Sequence, residues 1–381
     1  MSVLRNLLLL AAALLLSQCQ AGKTTTKPLF PAFSEHYDDV KTSSAMFGVA
    51  DMKFAFRGKT KSDFEKWQNA FRPELKKTLG LAILETQLAG FKPRAERISS
   101  EDIGFAIREK WRIWTEPTVP LPFILLRPKG PERQRGLVIA PHGHSKNTEM
   151  YAGIYYNDHD KEHAEAGERD VAIQAVKEGY IAIAPTARGF GETRTATDLK
   201  ADADRSCRTL LLHNILVGRT AVGDRVWDVS KIIDWALAEL HIDPKKIVVT
   251  GNSGGGTTTL FAAACDTRIA AGIPASYFNT FSGSIGTFRH CECNYIPGIL
   301  NLGEMGDIAG LIAPRLFCAI NGKLDKNFPI IEARKSFQRA KDIYQVAGAP
   351  GNCEFYEGAE GHRYYKAGAW PFLNRHWGGA F

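Results

Sequence analysis

Ile247-Val248-Val249-Thr250-Gly251-Asn252-Ser253-Gly254-Gly255 is an apolar, β-branched run that ends in G-x-S-x-G, and small residues continue from it to Cys265. The run predicts a buried strand and the small-residue segment a helix from about Gly255 to Cys265. Between them the glycines permit a turn too sharp for larger residues. In this strand, turn and helix context the motif predicts a nucleophile elbow, in which strained backbone lifts the Ser253 hydroxyl into a cleft. The helix amino terminus places the Gly254 N–H where it stabilises negative charge. A glycine-rich turn without chemistry is the plain alternative; the flanking elements favour the catalytic reading.

Working outward from the elbow, strand and helix patterns alternate. Leu137 to Ala140, Tyr180 to Ala184, Ile269 to Ile273, Leu316 to Ile320 and Glu354 to Tyr356 are short strands. Helical patterns occupy Val171 to Glu178, Leu210 to Leu240 and Glu332 to Tyr344, and Tyr365 to His376 closes the chain. Such alternation predicts an α/β fold with a mostly parallel sheet and helices on both faces. Ahead of it, Arg108 to Trp114 and Leu121 to Leu126 suggest paired strands. Phe64, Trp67, Phe71, Leu75 and Leu79 recur at helical spacing, predicting an amphipathic N-terminal helix that Pro73 kinks or divides. The expected division is a leader over 1–21, a linker and helical extension over 22–100, and the main α/β domain over 101–381.

A serine needs a base and an orienting acid, expected in the order Ser, Asp or Glu, His. Asp325 follows the strand Leu316 to Ile320, where a carboxylate can accept the Nδ1 proton of an imidazole. His362 follows the last strand. The alternative role for Asp325 is to cap the helix after Pro329. The second oxyanion donor is expected after an early central strand, where Pro141-His142-Gly143-His144 offers the His144 N–H. The His142 side chain reads as structural. Ser253, Asp325 and His362 are therefore the candidate triad, with Gly254 and His144 as backbone donors; no metal or organic cofactor is required.

The bulk composition sets bounds. The 381 residues are 44% hydrophobic and 23% charged, ordinary for a globular chain with a large core. The net charge of +7 comes from scattered residues, with no arginine-rich stripe interleaved with aromatics, so nucleic acid is not expected as a partner. Met1 to Ala21 has a basic start at Arg5 and an apolar run from Leu7 to Leu16, predicting an export signal and a periplasmic or extracellular protein. Leu16-Ser17-Gln18-Cys19 matches a lipoprotein box apart from Gln18, so a lipid anchor at Cys19 is the alternative to cleavage after Ala21. Of the remaining cysteines, Cys265 and Cys318 read as buried apolar residues. Cys291 and Cys293 cannot readily bond to each other, and Cys207 is a candidate partner if either is oxidised.

These motifs carry a resemblance. His142-Gly143-His144, Arg188-Gly189-Phe190-Gly191, the elbow at Ser253, Asp325 and His362 resemble, in order, the H-G-Y, R-G-Q, G-x-S-Q-G, D and H elements of the acetylxylan esterase and cephalosporin-C deacetylase family. Arg225-Val226-Trp227-Asp228 and His290-Cys291-Glu292-Cys293-Asn294-Tyr295 are more closely similar to exported bacterial α/β-hydrolases grouped with acetylxylan esterases or dienelactone hydrolases. The similarity spans roughly Gly136 to Trp377, with His144 in place of tyrosine and Phe190 and Gly254 each in place of glutamine. It implies the α/β-hydrolase fold and a serine esterase of carbohydrate acetyl esters, with a uronic-acid ester or a lactone as other substrates. It also implies that Arg188 braces the active-site loops. The insertion from Ser276 to Ala313 is expected to shape the pocket or simply to pack.

Rival readings use other residues. His159-Asp160-Lys161-Glu162-His163 spells H-x-x-E-H, a zinc-peptidase pattern if a third ligand joins it. A serine peptidase or a noncatalytic binding module on the same fold are the remaining alternatives.

Overall fold

The computed structural model describes residues 38–130, 135–145 and 148–378. The leader and Cys19 lie outside the described residues. Ser43–Phe381 forms one compact unit.

A nine-stranded sheet organises the larger unit. Its strands are β1 (Arg94–Asp102), β2 (Ala106–Glu116), β3 (Val119–Pro128), β4 (Arg135–Ile139), β5 (Ile181–Pro185), β6 (Ile242–Asn252), β7 (Ala271–Ala275), β8 (Leu316–Gly322) and β9 (Cys353–Gly358). Their spatial order is β1-β2-β3-β5-β4-β6-β7-β8-β9. The first three are antiparallel, as is β3 against β5, and every pairing from β5 to β9 is parallel. The chain crosses over between β4 and its neighbours β5 and β6, so the loops after β4 and β6 open beside each other at the carboxyl ends of the strands, where such sheets place their chemistry.

Strand alternation divides the core. Leu137, Ile139, Ile183, Ile247, Val249 and Phe317 face one apolar cluster, and Val138, Ala140, Ala182, Val248, Ile273 and Cys318 face the other. Both faces are covered, which accounts for the continuous apolar runs that identify the strands in sequence. The first cluster is closed by the helices Ala221–Glu239 and Gly254–Cys265, and the second by Val171–Lys177 and Lys366–Trp377. This is the α/β-hydrolase fold.

Three features differ from the expectations. The helix Lys61–Thr78 runs unbroken through Pro73, and the chain instead breaks at Gly80, which has φ +81°. A capping box between Thr60 and Asp63 starts this helix, and Lys76 and Lys77 favour its carboxyl end. The helix buries Phe64, Phe71 and Leu75, while Gln68 and Arg72 donate to the carbonyls of Leu311, Ala313 and Ala264. It is thus part of the main core. The segment 210–240 is two helices, Cys207–Leu216 and Ala221–Glu239, the second capped by the Thr220 hydroxyl on the Gly223 N–H. Strand β1 has no counterpart in the predicted elements; its side chains are almost all exposed, so no apolar pattern marks it.

Candidate active site

The elbow forms because two glycines let three elements converge. A Cβ at Gly251 would lie 2.2 Å from the Pro141 carbonyl oxygen, and one at Gly255 only 2.0 Å from the same atom. No other residue fits either position without moving the loop after β4. Between them Ser253 has φ +58° and ψ −116°, a strained conformation for a side chain with Cβ. Its N–H donates to Ala275 O at 2.9 Å, fixing the turn to β7, and its carbonyl accepts from the Thr257 N–H.

Asp325 and His362 come together from the ends of β8 and β9. His362 Nδ1 lies 2.7 Å from Asp325 Oδ2. The other carboxylate oxygen accepts the Asn327 N–H at 2.9 Å and the Phe328 N–H at 3.2 Å, so both oxygens are occupied. Asp325 does not cap the following helix, whose first flanking residue is Pro329, without a side-chain cap. The His362 ring stacks on Phe328 with centroids 5.8 Å apart and planes 18° from parallel. Ser253 and His362 line one cavity of about 530 Å³.

The loop after β4 lies against the elbow. His142 is buried; its Nε2 accepts the Ala187 N–H at 3.0 Å, which leaves Nδ1 protonated and donating to the Gly143 carbonyl oxygen. Burial pushes His142 down to about 3, so it stays neutral and tethers this loop to the one after β5. His144 turns over the elbow: its Cε1 would sit 2.9 Å from a Cβ at residue 254. This contact links two of the departures noted above, because an imidazole at 144 and a glutamine at 254 would compete for one space.

Arg188 braces this arrangement from below. Its guanidinium makes a two-pronged pair with Asp228, at 2.8 and 2.6 Å, and meets Glu116 at 2.5 Å. Arg219 joins Glu116 and Asp224 into the same network. Burial outweighs Arg188 at Asp228 and raises its carboxyl, whereas at Glu116 the hydrogen bonds of Arg219 and the charge of Arg188 overcome burial and hold the carboxyl below its usual range.

The rest of the cavity wall was not legible as a site. Arg169, Arg205, Arg289 and His290 line it, and among the described residues Asp160 is its one lining carboxylate. Among the described residues none of these three arginines forms an ion pair. Burial lowers the Arg169 guanidinium below its usual value. Arg289, His290, Cys291 and Asn294 come from the insertion after β7, which therefore shapes the cavity as well as packing, through Tyr277, Phe278 and Phe281, into the core.

Two groups could bear on metal binding. His159 and His163 do lie on one helix, Asp158–Ala166, with rings 6.3 Å apart, but no third donor joins them among the described residues. His144 Nε2 and the sulfurs of Cys207, Cys291 and Cys293 lie within 4.8 Å of one another. Cys207, the candidate partner for the Cys-x-Cys pair if either is oxidised, thus reaches both of its cysteines, and all three are free thiols.

The comparisons with known proteins agree with this architecture. The model of the Abhydrolase family matches residues 41–366. Hydrolase YtaP of Bacillus subtilis (strain 168) is 25% identical over 187 residues, which make up 48% of this chain and 60% of that protein, under two thirds of its length. A Bacteroides fragilis NCTC 9343 protein assigned as an acetyl xylan esterase superposes with a TM-score of 0.70 at 21% identity, covering 85% of this chain and 83% of that one. Methylesterase BT1017 gives 0.64 at 19% identity over 90% and 68% of the two chains. A glucuronoyl esterase from Solibacter usitatus gives 0.60 at 16% over 82% and 94%. The structural likenesses carry the fold, and the family match over most of the chain carries kinship: the chain belongs to the Abhydrolase family of hydrolases.

Proposed function

We propose that the chain is an exported serine esterase that hydrolyses carboxylic esters of carbohydrates by an acyl-enzyme route. The observation that carries this reading is the 2.7 Å contact between buried Asp325 Oδ2 and Nδ1 of His362, which lines the same cavity as Ser253. Asp325, with its second oxygen anchored by two backbone N–H groups, keeps His362 in the tautomer whose Nε2 accepts a proton. His362 takes the Ser253 proton as the hydroxyl attacks the ester carbonyl. The backbone N–H groups of Gly254 and His144 stabilise the oxyanion. His362 then protonates the leaving alcohol and activates water to release the acid. Export rests on Met1 to Ala21, with Cys19 as the alternative point of attachment to lipid.

Acetyl esters of xylan-like polysaccharides fit the family resemblance and the names of the structural relatives. A second reading has its own support: Arg169, Arg205 and Arg289 line the cavity without carboxylate partners, which favours an ester on a polymer bearing uronic acids. Replacing Ser253→Ala should lower turnover of an activated acetyl ester by about 10⁴-fold or more with the fold intact; unchanged turnover removes Ser253 from the chemistry. Turnover of neutral acetylated xylan against glucuronate and galacturonate esters separates the two substrate readings.

A further inference from the structure

Cys207 opens the helix Cys207–Leu216, Cys291 and Cys293 lie in the insertion after β7, and His144 ends the loop after β4. Far apart in sequence, these residues aim four soft donor atoms at one point. His144 Nε2 is 3.2 Å from Cys293 Sγ, Cys293 Sγ is 3.5 Å from Cys291 Sγ, and the whole set lies within 4.8 Å. A zinc tetrahedron with bonds of about 2.0–2.3 Å has edges of about 3.5–3.8 Å, so the widest pairs close by up to about 1 Å while His144 Nε2 and Cys293 Sγ open by a few tenths of an ångström. Three thiolates and an imidazole are a known structural zinc set, and soft sulfur ligands select zinc over magnesium or calcium.

A second observation points the same way. Arg225 is 5% exposed, forms no ion pair among the described residues, and its Nε has no hydrogen-bond partner. Its Nη2 lies 3.6 Å from Cys207 Sγ and donates to the Arg188 carbonyl oxygen at 3.2 Å, and the guanidinium also faces the Cys293 sulfur and the Phe190 ring. A buried guanidinium without a counterion is costly. Zinc, three thiolates and a neutral imidazole carry a net charge of −1, which offsets that of Arg225. A disulfide from Cys207 to either partner would leave one thiol over, the His144 nitrogen unused and Arg225 uncompensated.

We propose that His144, Cys207, Cys291 and Cys293 bind one zinc ion, closed to substrate by its four protein ligands, which ties the loop after β4 to the insertion that walls the cavity. Binding exchanges three thiol protons for Zn²⁺ and involves no oxidation. His144 and Cys291, the two members that are not fully buried and that line the cavity, give the ion its route in. The ion takes no part in acyl transfer, and its role is to hold the His144 loop at the elbow. The site stands on residues other than Ser253, Asp325 and His362, so it survives failure of the esterase reading.

The test is metal analysis of the untagged, full-length protein purified without chelator or reductant, with alkylation of the denatured chain to count thiols. The expected result is about one zinc per chain, falling below about a tenth in Cys207→Ser and in Cys293→Ser, with all three cysteines alkylated. Cobalt substitution of the wild-type chain should give the intense thiolate-to-metal absorption of a tetrahedral site, a readout that no variant has to fold to provide. A metal-free protein in which peptide mapping finds Cys207 bonded to Cys291 or Cys293 overturns the proposal. So does full zinc content in both variants, which would place the ion elsewhere.

Discussion

Asp325 Oδ2 meets His362 Nδ1 at 2.7 Å while its Oδ1 accepts the backbone N–H groups of Asn327 and Phe328. The carboxylate is thus aimed by its own loop before it touches the imidazole, and the loop in turn is set by β8. Asp325→Asn would keep those backbone contacts through its oxygen and present an N–H to His362, favouring the wrong tautomer. The expected outcome is a fall in kcat of about 10³–10⁴-fold on an activated acetyl ester, with an unchanged thermal midpoint. A loss under tenfold would mean that the pair serves stability alone.

Gly251→Ala tests the elbow as a packing device. Its new Cβ would meet the Pro141 carbonyl oxygen at 2.2 Å, and because that oxygen is backbone the whole loop after β4 has to shift. Stability should drop by about 1–3 kcal/mol in a urea titration. Turnover should fall as well, since the displaced loop carries His144.

Glu116 gives a pH dependence. Its folded pKa lies below the usual glutamate value of about 4.5, so its contribution is fully present above that pH and is lost as pH falls through the lower folded value. Glu116→Gln should therefore be less stable than the wild type at pH 7, and the two should converge as pH falls below about 4.5. Urea midpoints measured across that range check the sign. Asp228 is raised, so it works in the opposite sense, but it is common to both proteins.

Arg289→Ala addresses the substrate. The side chain is exposed at the cavity and has no ion-pair partner among the described residues. If the ester carries a carboxylate, KM for that ester should rise about tenfold, more at low salt than at high, while kinetics on a neutral aryl acetate stay unchanged.

What the sequence made legible were the features that depend on local geometry. Ser253 and Asp325 each follow a strand whose apolar run is continuous because both sheet faces are covered, so those strand ends and the loops after them could be placed, whereas His362 follows the short, part-exposed edge strand β9. Other features depend on burial that only tertiary contacts create. Pro73 stays in its helix because the helix is anchored on both sides of it, by Gln68, Arg72 and the buried Phe71 and Leu75. Strand β1 is polar because it is a sheet edge. Arg169, Arg205 and Arg289 look like ordinary surface charges in sequence; their meaning comes from lining one cavity without an ion-pair partner among the described residues. His144 and the three cysteines, separated by up to 149 positions, meet only once the chain is folded.

The central claim is that Ser253 is the nucleophile, and covalent labelling tests it most directly. The full-length protein is treated with a serine-directed fluorophosphonate, and intact mass and peptide mapping are followed alongside residual esterase activity. One adduct per chain, on Ser253, appearing in step with loss of activity is the predicted result. Full loss of activity with Ser253 unmodified, or full modification of Ser253 with activity retained, would contradict it.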